Sequence, residues 1–279
     1  MQHQNLFVFD IETIPDTGAV HNLTGSDSHD VETLREELAN YHLDVTDGKN
    51  SFPRQPFQKV VAVSYLEAEI YRHDDGSEGY ALKNLGSGQR EDEAGIVQGF
   101  FEYLQRIKPR LVSYNGRGFD LPVLKYRAMA HGVAAKWFYD SARQNKWENY
   151  QSRYSTDWHC DLLEVLSEFG ASSRVKLNEV CAILGFPGKF GVDGSKVAGM
   201  HDAGQLQEIR QYCETDVLNT YLVYLRLMQH QGRISTKSYN RAIADVISFI
   251  ENQSDERPYL GDFLAAWGEA SNNSFMLEE

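Results

Sequence analysis

The sequence predicts an α/β protein, a mixed sheet flanked by helices, on three observations. Short apolar runs at Leu6-Phe7-Val8-Phe9, at 59–66 and at 111–114 read as strands. Residues 91–107 and 204–232 repeat apolar positions at helical spacing. The runs at 59–66 and 68–73 are close enough in the chain for an antiparallel meander, whereas a helix separates them from 111–114, as a parallel strand requires. With 279 residues, 42% hydrophobic and 12% aromatic, the chain can bury a substantial core.

In chain order, the first strand runs through Phe9 into Asp10-Ile11-Glu12-Thr13, and Pro15, Asp16 and Gly18 mark a turn after it, so both acids are expected at its carboxyl end. Residues 14–57 carry Asp, Asn, Gly and charge clusters with a short helical pattern at 31–39, and are too long for an ordinary connection. They read either as a lid or substrate-shaping insertion or as a partly disordered surface loop. A second strand at 59–66 and a third at 68–73 follow, joined by a tight connection, then a turn-rich stretch at 74–78. After the helix at 91–107 and the strand at 111–114, a turn with Gly116 and Gly118 delivers Asp120 to the start of another helix. Segments 161–169 and 174–184 read as helices, 204–232 as a long one, and 235–249 as a further one. Tyr259, Leu260, Phe263, Leu264, Ala266 and Trp267 form an amphipathic element that either docks on the body or serves a partner.

Three motifs carry acidic residues. Asp10 and Glu12 stand one residue apart on a strand and project from the same face, which makes them half a metal site or a merely solvated pair. Asp120 stands where a carboxylate would also cap a helix, stabilising it by about 0.5–2 kcal/mol. Tyr212 and Asp216, four positions apart in Tyr212-Cys213-Glu214-Thr215-Asp216, share one helical face.

Taken together, these motifs resemble the 3'-to-5' exonucleases that use four carboxylates and a tyrosine, the DEDDy type. More closely, Asp10-Ile11-Glu12-Thr13, Asn115 with Phe119-Asp120, and Tyr212 through Asp216 resemble the proofreading exonuclease of B-family DNA polymerases, as a stand-alone bacterial relative. The likeness extends through Asp161-Leu162-Leu163-Glu164, 176–196 and 215–221, and leaves the 14–57 insertion and the tail after Gly232 uncovered. It implies a ribonuclease H-like fold with a mixed five-stranded sheet. It also implies one exonuclease domain over 1–279, with a helical C-terminal extension at 232–279. The activity implied is hydrolysis at 3' ends of single-stranded or frayed DNA, releasing nucleoside 5'-monophosphates. A 3'-to-5' exoribonuclease and a catalytically silent nucleic-acid-binding subunit stand as alternatives.

Elementary chemistry supports the same residues independently. Phosphodiester cleavage places negative charge on attacking and leaving oxygens, which two divalent ions about 4 Å apart can offset. Four crowded carboxylates repel one another unless cations occupy the cluster, and oxygen ligands suit Mg²⁺ or Mn²⁺. Asp10, Glu12, Asp120 and Asp216 are therefore the expected ligands of two such ions. Tyr212 is expected to orient the attacking water, because a phenol with an ordinary pKa near 10 is a poor base at neutral pH. The resemblance adds Asn115 and Phe119 as contacts to the terminal nucleotides, against bland readings as a turn residue and a core aromatic.

The stretch from Gly185 to Lys196 is rich in glycine but lacks the spacing, the Ser or Thr after the lysine and the preceding strand of a P-loop. Lys189 and Lys196 either steer a phosphate backbone or are solvated surface lysines. The net charge of −13 opposes tight nonspecific binding along a duplex and suits an enzyme that engages ends. Cys160, Cys181 and Cys213, with no metal-ligand spacing, point to reduced thiols in a cytoplasm. The nine histidines form no ligand pair of the helical His-Glu-x-x-His kind. No export signal and no apolar run of about 18 residues is present, so a cytoplasmic protein with no membrane contact is expected. With no polymerase segment in the chain, proofreading would require a replication or repair protein in trans.

Overall fold

A computed structural model of the chain describes residues 3–90, 92–188 and 194–278. Five strands form one mixed sheet: β1 Asn5–Pro15, β2 Gln58–Arg72, β3 Glu78–Ser87, β4 Arg110–Ser113 and β5 His159–Asp161. Their spatial order is β3-β2-β1-β4-β5, with β2 antiparallel to β1 and β3, and β4 and β5 parallel to their neighbours. The described helices are α1 Val20–Thr24, α2 Val31–Asp44, α3 Glu93–Ile107, α4 Asp120–Ala130, α5 Lys136–Gln144, α6 Leu162–Leu166, α7 Leu177–Leu184, α8 Val197–Asp202, α9 Leu206–His230, α10 Thr236–Gln253 and α11 Pro258–Ser271. This is the helix-flanked mixed sheet expected of a ribonuclease H-like fold.

The period-2 alternation of β1 divides the core into two layers. Leu6 and Val8 face a cluster with Val217, Tyr221 and Leu218 of α9, Ile243 and Val246 of α10, and Phe263 and Trp267 of α11. Phe7, Phe9 and Ile11 face the other way, onto Val97, Phe100 and Leu104 of α3 and Leu121 and Leu124 of α4. Helix α9 is buried through most of its length, because the sheet covers one side and α7, α10 and α11 cover the rest. Beneath it, Arg110 makes two hydrogen bonds to Glu78, at 2.7 and 2.9 Å, and others to Tyr80 and Tyr224.

The third strand is not where periodicity placed it. Residues 58–72 form one long strand, and β3 is 78–87, across the turn at 74–77. Glu67, read as the connection, and Glu69 are outward-facing strand residues: Glu67 accepts from the Tyr103 hydroxyl and Glu69 pairs with Lys83 at 2.8 Å. The register shift between Glu67 and Ala68 lies in the pairing with β3, where Lys83 is the extra residue, and the alternation of β2 continues through it. The short β5 was also not separable by pattern from the segment read as helical at 161–169.

The 14–57 segment carries α1 and α2, and its base is closed by the Asp16 N–H donating to Phe57 O at 2.9 Å. Val20, Leu34 and Leu38 form its own small core. Arg35 ties it to α8 through two bonds to Asp202, at 2.6 and 2.8 Å.

Candidate active site

Strand β1 outruns β4. The parallel ladder ends at Val8 opposite Val112, while β1 continues to Pro15, so Asp10 and Glu12 stand inside the strand rather than at its end. Past Val8 the β4 side of β1 has no strand to pair with, and α4 fills that side instead: the Ile11 N–H donates to Asp120 Oδ1 at 3.2 Å. Asp120 is thereby fixed between the two acids of β1. Asp10 and Glu12 continue the row of Leu6 and Val8 and so project toward α9, the helix that carries Tyr212 and Asp216.

The turn that delivers Asp120 is strictly built. Asn115 adopts a left-handed backbone, φ 69°, and its carbonyl accepts from Gly118 and Phe119, both at 2.9 Å. Asp161 accepts from the N–H groups of Asn115 and Arg117 at 3.0 and 2.8 Å while also capping α6. A Cβ on Gly116 would come within 2.4 Å of Ser113 Oγ, so only glycine permits this approach.

The charges of the five residues act on one another. Asp10 is enclosed by protein with part of its surface open to solvent. Its pKa is pushed well up, first by burial and then by the carboxylates of Asp120, Glu12 and Asp216, and it shares a hydrogen bond with Asp120. Burial likewise pushes Asp120 up, to about 7. Burial raises the Tyr212 phenol, followed by the charges of Asp216, Glu12 and Asp10, so at neutral pH it keeps its proton. The structure thus brings Asp10, Glu12, Asp120, Tyr212 and Asp216 into one electrostatic unit. It is acidic and oxygen-rich, and without a cation its carboxylates take up protons to relieve their repulsion; this is the donor set a hard divalent cation fits.

Sequence reasoning missed three residues near the cluster or its turn. Cys213, read only as a reduced thiol without metal-ligand spacing, places its sulfur with Asp10 and Glu12 oxygens, all within 4.8 Å of one another. Its neighbours in the helix were the available signal, since it follows Tyr212 and stands three positions before Asp216. Phe52 is 55% exposed, and its ring lies 6.0 Å from that of Phe119, itself only partly buried. Gln55 also reaches this turn, donating to Gly118 O at 3.0 Å. No periodicity marks Phe52; an aromatic beside Pro53 in a polar stretch was the only hint. Asn115 has the turn role described above. Lys196 is exposed at the start of α8, and Lys189 lies outside the described residues.

Comparison with known proteins adds a lineage. Residues 50–267 match a family model described as a predicted 3'-5' exonuclease related to the exonuclease domain of PolB. The match includes Asp120, Tyr212 and Asp216 and begins after Asp10 and Glu12. The catalytic chain of DNA polymerase epsilon from Kluyveromyces lactis is 27% identical over 135 residues, 43% of this chain and 6% of that protein. Its counterpart from Schizosaccharomyces pombe is 25% identical over 118 residues, 37% of this chain and 5% of that protein. The chain therefore spans a small fraction of the length of these relatives. Among the described residues, no helix is long and apolar enough to cross a membrane.

Proposed function

The chain belongs to the family of predicted 3'-5' exonucleases related to the exonuclease domain of PolB, and from that premise we propose that it is a DEDDy-type hydrolase. It trims 3' ends of single-stranded or frayed DNA and releases nucleoside 5'-monophosphates. The observation that carries this reading is the convergence of Asp10, Glu12, Asp120 and Asp216 with Tyr212 where β1 runs past β4.

Asp10, Glu12, Asp120 and Asp216 would hold two divalent cations, Mg²⁺ or Mn²⁺, which acidify the attacking water and offset charge on the scissile phosphate. The carboxylates lose their mutual repulsion when so occupied. Tyr212, kept protonated by burial and by its acidic neighbours, holds the nucleophilic water in line through its hydroxyl. Asn115 and Phe119 border the site from the turn, and Phe52 adds a second ring. Two aromatic faces can stack on a terminal base of any identity, which suits trimming without sequence preference. Lys189 and Lys196 would attract the phosphate backbone.

The test is hydrolysis of 5'-labelled DNA and RNA oligonucleotides with Mn²⁺, Mg²⁺ or chelator. A metal-dependent ladder on DNA supports the reading. A ladder confined to RNA would make the protein an exoribonuclease, and metal-independent binding without cleavage would make it a silent binding protein.

A further inference from the structure

Beside the site, between α4 and residues 150–174, lies a groove of about 440 Å³ lined by Arg117, Lys125, Gln151, Arg153, Glu164 and Arg174. Gly118 and Leu121, on either side of Asp120 in the chain, line it, so the groove adjoins the turn and helix start that carry Asp120. Its charge opposes that of the molecule: the chain has 40 acidic against 27 basic residues, whereas this groove has one acid among four cations. Glu164 is shared by Arg153 and Arg174, whose side chains are 47% and 51% exposed, so the pair of guanidinium groups is only half neutralised. Arg117 donates to the carbonyls of Tyr150 and His159, at 3.1 Å each, and is not paired with any carboxylate among the described residues. The Lys125 ammonium stands 5.3 Å from the centre of the Phe138 ring, likewise without a carboxylate partner among the described residues. Burial and the nearby Arg117 push its pKa down.

We propose that this groove is the track for the substrate strand upstream of the scissile bond, with Lys125, Arg153 and Arg174 contacting successive phosphates and Arg117 supplying a fixed buried charge. The proposal rests on the exonuclease reading for the direction of the strand. A protein this acidic needs a local basic channel to retain a polyanion, and the groove supplies one beside the turn that delivers Asp120.

The test compares wild type with Lys125→Gln/Arg174→Gln, which leaves Arg153 to pair Glu164, and with Glu164→Gln, which frees both arginines. Binding of a 5'-fluorescein 12-nucleotide DNA is followed by anisotropy in chelator across a salt series, and hydrolysis of that strand and of a dinucleotide is followed with Mn²⁺. The double variant is expected to raise KM for the 12-mer roughly tenfold, to leave the dinucleotide within about twofold, and to flatten the salt slope by about 1.4, at about 0.7 per lost phosphate contact on a single strand. Glu164→Gln is expected to shift 12-mer binding the opposite way. Unchanged 12-mer binding and slope in both variants, or equal loss on 12-mer and dinucleotide, would overturn the groove assignment. If wild type hydrolyses neither substrate, the exonuclease reading fails, and the anisotropy series still decides the groove by itself.

Discussion

Replacing Asp120 with Asn separates a carboxylate kept for structure from one kept for a cation. The isosteric amide retains an oxygen to accept from the Ile11 N–H, the bond of 3.2 Å that secures α4 to β1. What it removes is an ionisable group whose pKa is raised from an ordinary 3.8 to about 7, chiefly by burial. A raised acid in the folded state means that the folded protein holds a proton the unfolded chain has lost. Stability therefore falls as pH rises from about 4 to 7 and is flat on either side. At about 1.36 kcal/mol per pKa unit the full effect is about 4 kcal/mol, or on the order of 10 °C in Tm for a chain of this size. Metal-free Asp120→Asn should thus be more stable than wild type at pH 8 by up to that amount, and the two should converge near pH 4.5. Added Mn²⁺ should narrow or reverse the order, since a ligand at about 100 times its Kd stabilises by about 2.7 kcal/mol and the variant has lost a ligand. Thermal and urea unfolding in chelator and in Mn²⁺, from pH 4.5 to 8.5, reads all of this. A variant less stable than wild type at pH 8 in chelator, with the same pH slope, would show that Asp120 is a helix cap and refute the reasoning.

Four further outcomes follow from the same structure. Tyr212→Phe should lower kcat by about 10²–10³ while Mn²⁺ affinity by calorimetry stays within twofold, because the phenol acts on water and not as a ligand. Phe52→Ala should raise KM for single strands about 10-fold with little change in kcat, since lost base stacking is worth roughly 1–3 kcal/mol; an unchanged KM would remove Phe52 from the site. Burial works against ionised Glu78, yet the bonds and charge of Arg110 bring it down to about 2, so Arg110→Met should cost about 3–5 kcal/mol in urea unfolding, and adding Glu78→Met should restore part of it. Gly116→Ala should cost about 1–3 kcal/mol through its clash with Ser113 and displace Asp120, lowering activity beyond its effect on stability.

The parts of this protein governed by local periodicity were legible in the sequence. The apolar run of β1, the helical spacing of α3 and α9, and the tail that became α10 and α11 each carry their pattern within one segment. The acids of β1, the turn to Asp120 and the Tyr212/Asp216 face were readable for the same reason. What was not legible depends on contacts between distant segments. Strand β2 runs on through Glu67 because Tyr103, far along the chain, satisfies its carboxylate. Strand β5 is three residues long and exists through its ladder with β4. Phe52 matters only because the insertion folds back onto Phe119, and the basic groove is assembled from three separate stretches that no motif links.

The most direct test of the central claim is a gel of 5'-labelled single-stranded DNA incubated with Mn²⁺, comparing wild type with Asp10→Asn and Asp216→Ala. A ladder of progressively shorter labelled products that needs metal and vanishes in both variants is the predicted result. Full activity in either variant, or a ladder that persists in chelator, would contradict the assignment of the carboxylate cluster as the seat of the reaction.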